Sequence, residues 1–254
     1  PPRSTQGVSS AASDVYKRQI NISIPDVDPN LRPQITVLGI GGSGGNAVNN
    51  MMNSNLEGVE FLIANTDAQA LQISNCKKKI QLGIKSTRGL GAGMRPDVGR
   101  KAAEEAIEGI SEMLEGSHML FIAAGMGGGT GTGAAPVVAE IARELEAVTV
   151  SVVTMPFAFE GHRRYQNALQ GINRLQSNCD TLITVPNDRL VQIVPQHVSL
   201  DVAFRMADDV LRQGIQAIAE LVTRPGLINV DFADVRHLLS HSAGAMPVSY
   251  THLT

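Results

Sequence analysis

The chain has 254 residues, 43% of them hydrophobic, with a formal net charge of −3 and a pI near 6.1. That is apolar enough for one large or two small packed domains, and it excludes the strongly basic footprint of a nucleic-acid binder. No apolar run reaches the ~18 residues of a membrane-spanning helix. No secretory leader is visible, and Cys76 and Cys179 suit a reducing compartment better than a disulfide framework, so a cytoplasmic protein is expected.

In chain order, residues 1–32 read as a disordered or foreign N-terminal segment, because the first stretch is rich in Ser, Ala and Pro and lacks periodicity. Apolar runs of strand length follow at 35–40, 59–64, 79–82, 119–124, 148–154 and 181–185. Helical patterns at 46–55, 99–114, 134–146 and 163–177 separate most of them. Strands alternating with helices imply an α/β fold, a Rossmann-like parallel sheet with helices on both faces. Ligands of such sheets bind at the carboxyl ends of the strands. The triplet Lys77-Lys78-Lys79 is a short charge run, expected to be a solvated strand edge.

The segment 199–222 differs. Ala203, Met206, Val210, Leu211, Ile215, Ile218 and Val222 recur every three or four residues, and Arg224-Pro225-Gly226 ends the pattern. A helix of about 24 residues spans on the order of 36 Å, enough to cross a domain. Residues 247–254 read as a foreign tail.

Two glycine runs carry the chemistry. Residues 127–133 read Gly-Gly-Gly-Thr-Gly-Thr-Gly between a strand pattern and a helix pattern. So many glycines are not expected inside a helix or strand, where each costs backbone entropy. They fit a turn where backbone N–H groups and a helix N-terminus approach an anion, a phosphate cradle. The first run, Gly39-x-Gly41-x-x-Gly44, also follows a strand and opens a helix. Alone it matches a dinucleotide fingerprint with Asp67 near the acidic position, which makes an NAD-binding Rossmann module the alternative. A second, richer cradle suits a chain of phosphates held from both sides. The lysine of a Walker loop is absent.

Asp231 and Asp234 lie three apart at an expected helix start, preceded by Asn229. Their carboxylates would share one face, and helix capping is the plain alternative. Glu160 and Arg164 are four apart and would pair on a helix. His237 and His241 have an i, i+4 spacing, but the zincin glutamate is missing, so no metal site is expected there.

Six segments, taken together and in order, resemble the tubulin/FtsZ family, and within it the FtsZ branch of bacterial cell-division GTPases. They are Gly39-Ile-Gly-Gly-Ser-Gly-Gly-Asn-Ala47, Asn65-Thr-Asp-Ala-Gln-Ala-Leu71, Gly89-Leu-Gly-Ala-Gly93, the run 127–133, Phe159-Glu-Gly161 and Asn229-Val-Asp-Phe-Ala-Asp-Val-Arg236. The resemblance covers about residues 33–245. It implies a GTP-binding domain with a central helix at 33–222. Residues 223–246 would then hold a catalytic loop and the first helix of a second domain that is otherwise essentially absent.

The resemblance also implies a set of residue roles. Gly42, Ser43, Gly44, Gly45 and Asn46 would form the first phosphate loop. Gly128, Gly129, Thr130 and Gly131 would hold the later phosphates, and Gly91 and Gly93 would close over the terminal one. Glu160 and Arg164 would contact the ribose and phosphate region. Asp209 would read guanine with help from Asn187, while Phe204 stacks on the base. From the residues alone, Asp208 remains open as the reader and Phe204 as core.

GTP or GDP would be the ligand, with Mg²⁺ bound alongside. Asn229, Asp231 and Asp234 would act on a nucleotide held by the next subunit, because the long helix carries them far from their own. The expected protein is a GTPase that needs self-assembly into head-to-tail filaments at the mid-cell division ring. Division partners would bind through a tail not included here, with no nucleic acid and no direct membrane insertion. The chain by itself is expected to be weakly active at most, and a non-hydrolysing nucleotide-binding fragment is the remaining alternative. One departure from the family stands out: Glu146 sits where a glycine usually ends a helix, at a cost of about 1 kcal/mol.

Overall fold

A computed structural model describes residues 33–53, 56, 58–193, 199–223, 232–240 and 246–247. Asn229, Asp231 and His241 therefore lie outside the described residues.

The strands are β1 (Ile35–Ile40), β2 (Val59–Asn65), β3 (Lys78–Gln81), β4 (Met119–Gly125), β5 (Val148–Met155), β6 (Thr181–Pro186) and the two-residue β7 (Met246–Pro247). They form a parallel sheet in the order β3-β2-β1-β4-β5-β6-β7. Residues 119–124 of β4, near the middle, are all buried, as are all of β1 and β5. That is why these segments read as unbroken apolar runs: helices cover both faces.

The helices are α1 (Gly41–Met52), α2 (Ala68–Ile73), α3 (Pro96–Glu104), α4 (Ile107–Leu114), α5 (Thr130–Glu144), α6 (His162–Gln176), α7 (Asn187–Ile193), α8 (Leu200–Thr223) and α9 (Phe232–Ser240). One face of the sheet packs on α3, α4, α5 and α6 through Ala102, Ile110, Val138 and Ile172. The other packs on α1, α8 and α9 through Val48, Met51, Leu211, Ile215 and Val235. Each large apolar side chain fully buried here contributes about 1.5–3 kcal/mol.

The long helix α8 runs 24 residues without interruption and lies on α1 and β5. The pattern expected at 99–114 is two helices. The chain breaks at Ala106 (φ −107°, ψ 14°). Beside it the Glu105 carboxylate accepts from the backbone N–H groups of Lys85 and Ser86. Lys78 starts the edge strand β3 and pairs with Glu60, as expected of a solvated edge.

The glycine runs also depart from expectation. Both helices start inside them, so Gly41 to Gly45 belong to α1 and Gly131 and Gly133 to α5. Packing requires it. A Cβ on Gly44 would come within 2.2 Å of the Ala123 carbonyl oxygen in β4, and one on Gly133 within 2.1 Å of the Pro96 carbonyl oxygen in α3. Close helix–strand and helix–helix approach offsets the entropy that glycine loses there.

Candidate functional site

From β1 the chain winds outward to β2 and β3, and from β4 it winds the opposite way to β5 and β6. The adjacent strands β1 and β4 therefore flank a topological switch point, where a crevice opens at the carboxyl ends. A cleft of about 300 Å³ lies there. It is lined by Gly42 and Ser43 from α1, by Gly128, Gly129, Thr130 and Gly131 from the second glycine run, and by Gly93. Glu160, Arg164, Asn187 and Phe204 complete its wall. The N-termini of α1 and α5 both open into it, so two sets of free N–H groups and two positive helix ends face one space.

The glycines divide by what surrounds them. A Cβ at Gly42 or Gly128 would meet nothing within 4 Å. A Cβ at Gly129 would come within 2.4 Å of the Gly93 carbonyl oxygen, and at Gly131 within 2.6 Å of that of Gly125. Gly44 and Gly45 pack against β4 and β2 and do not line the cleft. Of the cleft-lining glycines in the two runs, Gly42 and Gly128 thus present bare backbone toward open space.

The polar groups converge. Arg164 donates to Glu160 at 2.5 Å, and Glu160 accepts from the Phe157 N–H, which fixes the pair on the cleft wall. Among the described residues, Oδ1 of Asn187 is buried without a hydrogen-bond partner. A buried orphan acceptor costs about 1–3 kcal/mol, so a ligand donor is its natural complement. Phe204 is not core: it is 42% exposed and stands edge-on to Phe157 and Phe159.

The two neighbouring aspartates of α8 face different ways. Asp208 is buried, with its carboxylate accepting from Ser43 Oγ at 2.6 Å and Asn46 Nδ2 at 3.2 Å. Burial pushes its pKa up, against the lowering effect of those two donors. Asp209 turns outward to Arg212 and Gln213, both at 2.6 Å. The Arg212 hydrogen bond holds its carboxyl below the ordinary value. The structure thus joins Asp208, not Asp209, to the first glycine run. Adjacent residues on a helix are about 100° apart, and spacing alone did not choose between them.

Asp234 lies at the other edge of the sheet. It is in the first turn of α9. Phe232, two residues earlier, meets the His118 ring edge-on at 6.2 Å, just before β4, and the Leu239 carbonyl accepts from Thr181 at the start of β6. Both contacts are at the amino ends of strands. Seven residues of β4, on the order of 23 Å, separate that edge from the cleft.

A family model described as Tubulin/FtsZ family, GTPase domain, matches residues 34–195. This chain belongs to the tubulin/FtsZ family. It is 54% identical over 239 residues to the "Cell division protein FtsZ" of Wolbachia sp, covering 89% of this chain and 60% of that protein. The protein of the same name from Rickettsia bellii is 53% identical over 227 residues, covering 89% of this chain and 49% of that protein. The chain thus spans roughly half to three-fifths of the length of these relatives.

Among solved structures, the empty FtsZ dimer of M. jannaschii superposes with a TM-score of 0.81 at 47% identity, covering 84% of this chain and 62% of that one. CetZ2 from Haloferax volcanii, a GTPγS-bound protofilament, shares the fold at a TM-score of 0.70 and 21% identity, covering 80% of this chain and 62% of that one.

Proposed function

We propose that this chain is the nucleotide-binding part of a GTPase that assembles head to tail into the cytoplasmic ring at which bacteria divide. The observation that carries this reading is the pairing of two glycine-led helix N-termini, α1 and α5, on one cleft. A single such terminus serves a dinucleotide, whereas two suit a polyphosphate gripped from both sides.

In this reading Gly42, Ser43, Gly128, Thr130 and Gly131 hold the phosphates, and Glu160 with Arg164 orients the ribose and phosphate region. Phe204 offers a face to the base. Asp209 would accept from guanine N1–H and the 2-amino group, with Asn187 assisting, while the buried Asp208 ties α8 to Ser43 and Asn46 of the first loop. Adenine lacks that paired donor edge. Mg²⁺ would ride on the phosphates and neutralise charge between them. Such an ion needs few protein ligands.

Hydrolysis belongs to a pair of subunits. Asn229, Asp231 and Asp234 would orient the attacking water at a neighbour's terminal phosphate, since Asp234 lies at the opposite sheet edge from its own cleft. A contact of one face with a different face, repeated without closing into a ring, yields filaments. Residues 33–222 would form the binding domain, and 223–246 the loop and helix that reach the neighbour.

The test uses a chain extended to the length of its relatives. Turnover of GTP should rise more steeply than linearly with protein concentration. Asp234→Ala should keep GTP affinity and lose turnover, and mixing it with Gly128→Val, defective in binding, should restore part of it. Turnover strictly proportional to concentration, with no gain on mixing, would contradict the shared site.

A further inference from the structure

Thr66 follows β2 and its side chain is wholly buried, yet its hydroxyl has a polar partner: Oγ1 lies 2.6 Å from Oγ1 of Thr130. Thr130 is the first residue of α5 and lines the cleft. The Thr66 main chain is engaged as well. Its carbonyl accepts from the Gly91 N–H at 3.2 Å and from the Thr87 hydroxyl at 3.3 Å. Gly91 belongs to the loop whose Gly93 carbonyl packs on Gly129. One residue therefore joins the α5 N-terminus to the loop that borders the cleft.

We infer that Thr66 is a positioning residue that aims the Thr130 hydroxyl proton at a phosphate oxygen of the bound nucleotide. This rests on the nucleotide reading given above. Each threonine hydroxyl carries one proton. If Thr130 donates to Thr66, it has none left for the cleft. If Thr66 donates to Thr130, the Thr130 proton is free to point outward. A phosphate oxygen only accepts, so an anion in the cleft selects the second arrangement. Thr66 then supplies the donor that satisfies and polarises Thr130. The Gly91 and Thr87 contacts hold the main-chain carbonyl of the same residue, so the place from which its hydroxyl donates is tied to the place of the loop.

Equilibrium titrations of this chain with guanosine, GDP and GTP test the inference. Thr66→Val keeps the shape and removes the donor. It should weaken GDP and GTP about tenfold, near the upper end of the range for a neutral hydrogen bond, and leave guanosine unchanged. Thr66→Ser should restore nucleotide affinity to about the original, which a packing role for the methyl group would not do. In a double-mutant cycle, Thr66→Val should add almost nothing to Thr130→Val. If the valine variant does not fold by circular dichroism, Thr66→Ala takes its place in the same cycle. Unchanged GTP affinity, an equal loss for guanosine, or additive effects in the cycle would overturn the inference. If the unaltered chain itself binds no guanine nucleotide, the reading beneath it fails, and that result is distinct from the others.

Discussion

The Asp208 carboxylate on α8 accepts a 2.6 Å hydrogen bond from the Ser43 hydroxyl in the first glycine run, while Asp209 beside it pairs with Arg212. The two acids are one residue apart and have opposite fates. Replacing Asp209 with Asn should reduce the preference for GTP over ATP by about tenfold or more, or ~1.4 kcal/mol per tenfold. Asp208→Asn should leave the preference within about twofold, because both Asp208 oxygens already accept from Ser43 and Asn46. Competition titrations with both nucleotides decide this.

The same burial sets a pH dependence. Asp208 has a raised folded pKa, so the folded state holds its proton at pH values where the unfolded chain has lost it. Stability from this group is therefore greatest in acid and declines as pH rises through the folded value. Compared with Asp208→Asn, which cannot titrate, the unaltered chain should lose ground from acid to neutral pH. Urea denaturation across that interval measures the difference. A gap that widens in the opposite direction contradicts the buried, uncompensated charge.

Glycines in the second run should separate binding from stability. Gly128→Ala adds a methyl where nothing lies within 4 Å, so folding should be unchanged while phosphate affinity falls. Gly129→Ala would force a Cβ to within 2.4 Å of a carbonyl oxygen, and Gly133→Ala to within 2.1 Å. Overpacking of that kind costs about 1–3 kcal/mol. Thermal melts beside nucleotide titrations read both quantities.

Glu146 ends α5 with φ +58°, the left-handed conformation that the missing glycine would take without strain. Glu146→Gly should stabilise the chain by about 1 kcal/mol, because a non-glycine residue in that region costs roughly 1–2. The cleft is remote from this turn, so nucleotide affinity should not change. Chemical denaturation measures the gain.

Much of the architecture was legible because buried parallel strands are plain apolar runs. The runs at 35–40, 119–124 and 148–154 became β1, β4 and β5 within a residue. The long periodic segment became α8, off by one residue at each end. What stayed hidden was decided by tertiary contact. Nothing in the spacing of residues 99–114 announces that Glu105 turns aside to hold Lys85 and Ser86. The glycine runs marked the right place for an additional reason, since a Cβ at Gly44, Gly129 or Gly133 would run into neighbouring backbone. The short α2 and α7 carry too few residues to show a helical period. Thr66 lay inside the Asn65–Leu71 motif without a role of its own, because a buried threonine after a strand is ordinary until its hydroxyl partner is seen.

Competition for the cleft tests the central claim most directly. Labelled GTP bound at equilibrium to this chain should be displaced by GTP and GDP at concentrations at least about a hundredfold below those needed for ATP or NAD, equivalent to ~2.7 kcal/mol. Displacement by NAD at a concentration comparable to GTP would contradict the account and return the first glycine run to a dinucleotide.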